Sequence, residues 1–148
     1  MQNSFDKSLP LAIGSDHAGF PYKEQLKTWL IQQGWQVDDK GTHSTESTDY
    51  PDYAHPVAQM VEDGKAAAGI LICGSGNGVC MTANKHHGIR AALCWNEELA
   101  ALSRQHNNAN VLCMPERFVA YEVAQRMTEI FLSTEFEGGR HERRVEKI

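Results

Sequence analysis

Short apolar runs alternate with longer stretches whose apolar residues recur at helical spacing, from Leu9 almost to the end of the chain. Continuous apolar runs suit strands buried on both faces, and amphipathic stretches between them suit the crossover helices of a parallel sheet. Leu9–Gly14 (LPLAIG) predicts the first strand, with Pro10 tolerable near its start. Pro21–Gln33 predicts a helix, since Tyr22, Leu26, Trp29 and Leu30 share one face, and Gly34 is placed to cap it. Trp35–Asp38 gives a short second strand, and the polar loop Gly41–Pro51 leads to a helix near Tyr53–Asp63. Gly69–Cys73 (GILIC) is the third strand, broken by Gly74–Gly78 before a helix over Val79–Lys85. Ile89–Cys94 and Asn110–Cys113 are the fourth and fifth strands, with a helix over Asn96–His106 between them. A strongly amphipathic helix follows over Phe118–Leu132, and the tail beyond Gly138–Gly139 predicts a last, basic helix.

The pattern implies an α/β, doubly wound fold on a five-stranded parallel sheet. With no composition break, residues 1–148 form one domain, 1–8 being an amino-terminal extension and 138–148 a basic tail. A length of 148 residues and a 41% apolar share suffice for one core. In such sheets ligands sit beyond the carboxyl ends of the strands, near the point where strand order reverses. Asp16–His17 follow the first strand, Cys73–Gly78 follow the third, and His106–Asn107 come just before the fifth. These three groups are expected to converge on one site.

Charge and cysteine usage narrow the classes. A net charge of −5 argues against a general nucleic-acid binder. The last nine residues nevertheless hold Arg140, Arg143, Arg144 and Lys147 beside two glutamates, a local basic patch suited to an anion. No run of about 18 apolar residues is present, so no membrane span is expected. Met1–Pro10 lacks a basic-then-apolar leader, so a cytoplasmic location is expected. Cys73, Cys80, Cys94 and Cys113 include no CxxC pair, which argues against a disulfide framework or zinc site. The seven histidines show no HExxH-like ligand spacing, and no metal is expected.

Cys73 ends a buried strand immediately before the glycine turn Gly74-Ser75-Gly76-Asn77-Gly78. Backbone N–H groups and a helix start at that turn favour a thiolate, although a small residue closing a strand has the same burial. The turn is no dinucleotide fingerprint, which needs G-x-G-x-x-G in the first βα turn, and no P-loop, which needs G-K-[ST]. It remains either an anion cradle for an oxyanion or enediolate, or a tight turn only. A cysteine-phosphatase cradle is also missing, since Val79 stands where its arginine belongs. Asp16–His17 suit sugar hydroxyls or proton transfer, and Asp16 equally suits a helix cap. His106 is either a general acid/base with Asn107 as an oxygen ligand, or a favourable charge at a helix end. Arg140 and Arg144 share a helix face with guanidinium forks matched to phosphate, or form a solvated basic terminus.

Taken as an ordered set, GSDHAGF, the TDYP of Thr48–Pro51, ILICGSGNGVCMTANK, GIRAALC, SRQHNNANVL and EGGRHERRV resemble the type B ribose-5-phosphate isomerases, from about Leu9 to Val145. That family also contains galactose-6-phosphate isomerase subunits. The resemblance implies a Rossmann-like three-layer fold, a homodimer or homotetramer with sites shared between subunits, and cofactor-free interconversion of ribose 5-phosphate and ribulose 5-phosphate. It implies Cys73 as the proton-moving base, with Ser75 and the amides of Gly74, Gly76, Asn77 and Gly78 around the enediolate. It implies His106 as the ring opener, Asn107 against the developing charge, and Asp16, His17 and Tyr50 lining the sugar. Arg140 and Arg144, with His17, are implied as phosphate ligands, joined by Arg117 from a neighbouring subunit. Relatives that lack the cysteine base carry a glutamate where Val79 stands, so Cys73 implies the cysteine route. Six-carbon phosphates such as allose or galactose 6-phosphate are the alternative substrates, and a non-catalytic sugar-phosphate sensor is a more distant one.

Overall fold

The computed structural model describes residues 5–148. In chain order the elements are β1 (Leu11–Ser15), α1 (Phe20–Gln32), β2 (Val37–Asp39), α2 (Pro51–Glu62), β3 (Ala68–Cys73) and α3 (Asn77–Ala83). They are followed by β4 (Ala91–Leu93), α4 (Glu97–Gln105), β5 (Val111–Pro115), a 3-10 turn over Glu116–Phe118, α5 (Tyr121–Ser133) and α6 (Arg140–Val145). Every strand pair is parallel, and the spatial order is β2-β1-β3-β5-β4.

The alternating side chains of the central strands build two cores. Leu11, Ile13, Ile70, Ile72, Leu112 and Met114 point to one face and bury Leu26 and Leu30 of α1, Ala100 of α4, and Met127 and Phe131 of α5. Ala12, Leu71, Cys73, Val111 and Cys113 point to the other and bury Ala54, Val57 and Ala58 of α2 with Val79 and Ala83 of α3. The sheet is thus the middle of three layers, as continuous apolar strands demand. Among the described residues no helix is long and apolar enough to cross a membrane.

Several element bounds differ from the sequence reading for local reasons. β4 is shorter than Ile89–Cys94 because the Asn110 side chain accepts the Arg90 N–H at 2.8 Å. β5 runs on to Pro115, which pairs with Cys73 at the strand end, where a missing N–H is harmless. The helix expected from Phe118 starts at Tyr121, because Val119 and Ala120 are extended after the 3-10 turn. Gly34 caps α1 as expected, its φ of +91° letting its N–H reach Ile31 O at 3.0 Å. Of the amino-terminal extension, residues 1–4 lie outside the described residues. Phe5 stacks on Phe131 at 5.6 Å, and Lys7 Nζ donates to Gln33 O at 2.7 Å.

One feature ran against the helical pattern. Lys23 lies on α1, yet its side chain is fully buried, its Nζ 2.6 Å from Asp39 Oδ2 and 2.9 Å from Glu24 Oε2. Asp39 Oδ1 in turn accepts the Gly41 N–H at 2.9 Å. The pair therefore ties α1 to the end of β2 and to the start of the loop that returns to Tyr50.

Candidate active site

Strand order reverses between β1 and β3, where Ser15 pairs with Ile72, and the chain leaving both strands opens a crevice there. A cavity of about 380 Å³ occupies it, lined by Asp16, His17, Ala18, Tyr50, Cys73, Gly74, Ser75, Gly78, Arg117 and Phe118. A second hollow, over Thr48–Asp52, adjoins it through Asp16, His17 and Tyr50.

Each wall is held by bonds that follow from local sequence. Asp16 Oδ1 accepts the Gly19 N–H at 3.0 Å, an Asx-type closure of the turn into α1. His17 Nδ1 accepts the Thr48 N–H at 3.2 Å. In a neutral ring that bond puts the proton on Nε2, making His17 a donor on its other side. Tyr50 precedes α2, whose first residue is Pro51, the position where a missing N–H costs nothing. Its ring lies over Gly78 so closely that a Cβ there would stand 2.6 Å from Tyr50 Cζ. The Arg117 guanidinium covers Gly74 in the same way, 3.1 Å from where a Cβ would be, and the Arg117 N–H donates to Gly74 O at 3.1 Å. Close approach crowds all three glycines of the turn, since a Cβ at Gly76 would run into Leu93 Cδ1, and the φ of +75° there itself favours glycine. Ser75 Oγ accepts from Asn77 N and Asn77 Nδ2, both at 3.3 Å. Gly76 and Asn77 themselves stand outside the lining.

Cys73, only 5% exposed, is the one sulfur on the cavity wall. Burial pushes the Cys94 thiol to about 11 and the fully buried Cys113 well above its ordinary value, so both stay protonated. Cys80 is lowered by a hydrogen bond with Cys113, against its own burial.

His106 and Asn107 do not join this cavity within one chain, so the convergence expected of the three groups holds only for those after β1 and β3. In a parallel sheet the residues before a strand lie at the edge opposite those after one. Cys73 pairs with Pro115, and His106 precedes Val111. At about 3.3 Å per residue, the four steps from Val111 to Pro115 alone put His106 more than about 13 Å from Cys73. The tail sits at the same far edge: the His106 and His141 rings stack at 4.2 Å and 11°. Glu137 Oε1 lies 3.8 Å from His106 Nε2 and 3.7 Å from His141 Nε2. Partial burial, the neighbouring His106 and Arg140 lower the His141 pKa, Glu137 opposing them. Arg140 and Arg144 belong to this edge and not to the cavity. Arg117, by contrast, reaches the cavity from its own chain rather than from a neighbour.

A profile of the Ribose/Galactose Isomerase family matches residues 11–148. The chain belongs to that family. It is 48% identical over 138 residues to ribose-5-phosphate isomerase B of Escherichia coli (strain K12), covering 93% of each protein. A crystal structure of a ribose 5-phosphate isomerase from Thermotoga maritima superposes with a TM-score of 0.92 at 50% identity, covering 94% of this chain and 96% of that one. The ribose-5-phosphate isomerase B of Mycoplasma genitalium, solved with bound ribulose 5-phosphate, gives a TM-score of 0.91 at 44% identity, covering 96% and 95%. The Rossmann-like α/β fold implied by the sequence is therefore the family's fold.

Two wall residues are given no role by the motifs. Ala18 is silent in sequence because it offers no functional group. Phe118, 73% exposed at the mouth, was absorbed into a helical pattern that begins three residues later. Its place beside Arg117 was the available signal.

Proposed function

We propose that the chain interconverts D-ribose 5-phosphate and D-ribulose 5-phosphate through an enediolate, in a site finished by a second copy of the chain. The observation that carries this reading is the gathering of Cys73, Ser75, His17, Tyr50 and Arg117 around one cavity at the strand-order reversal. Similarity to isomerases of that substrate supports the choice of sugar.

In this reading the Cys73 thiolate takes the C2 proton of the open-chain aldose. The C2–H electrons form the C1–C2 double bond while the carbonyl oxygen takes up negative charge. Returning that proton to C1, with the O2 proton passing to O1, leaves the ketose. A carbon acid beside a carbonyl is weak, so the enediolate needs donors as it forms. Each preorganised N–H of the Gly74–Gly78 turn, with Ser75, supplies about 2.7–4 kcal/mol by analogy with oxyanion-hole donors. Asp16, His17 and Tyr50 hold hydroxyls. Arg117 supplies remote binding energy through the phosphate and keeps the sugar over the sulfur.

The furanose ring must open first, which requires a proton for the ring oxygen and removal of the anomeric hydroxyl proton. His106 suits that exchange, Asn107 the developing charge, and Arg140 and Arg144 the phosphate. All four lie at the far edge of the sheet and reach a cavity only across an interface, so a homodimer or larger homo-oligomer is required. The four cysteines are free, one of them the proposed base, which fits a reducing compartment such as the cytoplasm.

The test is turnover of ribose 5-phosphate with EDTA present, wild type against Cys73→Ala. Loss of turnover with substrate affinity retained is expected; substantial kcat in the variant would remove Cys73 from the chemistry. Allose and galactose 6-phosphates assayed in parallel separate pentose from hexose use.

A further inference from the structure

We propose that His106, Glu137 and His141 form a binding site for a divalent transition-metal ion of the zinc class. One ligand atom from each residue lies within 4.8 Å of the other two. Glu137 Oε1 stands 3.8 Å from His106 Nε2 and 3.7 Å from His141 Nε2. Ligands at about 2.0–2.1 Å from a tetrahedral ion stand about 3.4 Å apart, so the carboxylate must close on each ring by only about 0.3–0.4 Å. The donor set, two imidazoles and one carboxylate with a position left for water, is that of an open zinc site.

The three residues are held together before any ion arrives. The Glu137 N–H donates to Gln105 O at 3.0 Å, which pins the tail to the end of α4 beside His106. The His141 N–H donates to Gly138 O at 3.0 Å as α6 begins. His141 is buried and stays in place, while His106, with 38% of its side chain exposed, is free to turn from the stacked arrangement and aim Nε2 at the ion. The carboxyl end of α4 carries partial negative charge, which favours a cation at its cap residue His106. Arg140 and Arg144 on α6 oppose it and keep the site weaker than a closed structural zinc site. No short motif announces these ligands, since His106 lies far in sequence from Glu137 and His141.

One consequence rests on the reading that His106 completes a neighbouring copy's cavity. An ion holding its Nε2 lone pair removes that nitrogen from ring opening, so the ion inhibits and EDTA restores turnover.

The test is Zn²⁺ titration by calorimetry of the tag-free, EDTA-washed full chain, beside Glu137→Gln and a Cys73→Ser/Cys80→Ser variant. Glu137 is half exposed, and glutamine keeps its shape, so folding is retained. We expect one ion per chain. Glu137→Gln weakens uptake at least about tenfold, the change that loss of even an outer-shell partner brings. The cysteine variant binds as wild type. Equal binding by Glu137→Gln, or uptake that disappears with the cysteines, overturns the site. Co²⁺ in place of Zn²⁺ should give visible bands without thiolate charge transfer; a thiolate band overturns it too. Turnover is read in the same samples. Zn²⁺ inhibition of wild type with resistance in Glu137→Gln supports the site and its consequence together. Glu137-dependent binding with unchanged turnover supports the site and counts instead against His106 as ring opener.

Discussion

Replacing Gly78 by alanine sets stability and activity moving in opposite directions. A Cβ at this position would lie 2.6, 2.7 and 2.9 Å from Cζ, Cε2 and Cε1 of Tyr50. Non-bonded carbons rest at about 3.5–4.0 Å, so the ring must retreat by about 1 Å. Tyr50 is 40% exposed and has room to swing outward, so the helix need not move. Gly78 is the second residue of α3, and alanine is the better helix former by about 0.8–1.0 kcal/mol in a helix interior. The folded chain should therefore melt no lower than wild type. The cavity, however, loses a wall, and a misplacement of about 1 Å costs on the order of 10²-fold in rate. That corresponds to about 2.7 kcal/mol in kcat/KM. Thermal melts and steady-state isomerisation of ribose 5-phosphate measure the two quantities on one preparation. Gly88→Ala is the control, since its Cβ would meet only the flexible Glu62 carboxylate, 3.1 Å away and outside the cavity. Wild-type kcat/KM in Gly78→Ala would take Tyr50 out of the site. A melting point lowered by several degrees would refute the outward swing of its ring.

Lys23→Met should destabilise the fold by about 3–5 kcal/mol in urea titrations, because it strands the largely buried Asp39 carboxylate without its closest cation; a loss under 1 kcal/mol would contradict that. Asp39 also governs acid stability. Burial raises its pKa, but the bonds from Lys23, Gly41 and Lys27 outweigh burial and hold the carboxyl below its ordinary value of 3.8. A folded-state pKa below the unfolded one stabilises above the ordinary value and is lost as pH falls through the depressed one. The stability gap between wild type and Asp39→Asn should thus shrink from about pH 6 to about pH 3, and a constant gap would refute the assignment. Arg117→Ala should raise KM for ribose 5-phosphate more than it lowers kcat, and an unchanged KM would end its role in holding phosphate.

Much of this architecture was legible because β1, β3 and β5 are apolar on both faces and the helices between them carry one apolar stripe. The strand order was not legible, since nothing local in Ala91–Leu93 marks β4 as an edge. Lys23 hid a structural ion pair inside an ordinary helical pattern, because partners 16 residues apart are invisible to periodicity. The cavity residues after β1 and β3 could be found from their place at strand ends. His106 could not be assigned correctly by the same rule, because it precedes a strand and so lies at the opposite edge of a parallel sheet. Arg117 was recognisable by motif, but only its packing over Gly74 tells which chain's cavity it enters.

The shared site requires Cys73 of one copy to work with His106 of another. Cys73→Ala and His106→Ala should each be inactive alone. After the two are mixed, unfolded and refolded together, half the dimers are hybrids with one intact site out of two, so activity should recover to about a quarter of wild type. Activity staying at the level of the separate variants, with hybrid dimers demonstrably formed, would contradict the shared site.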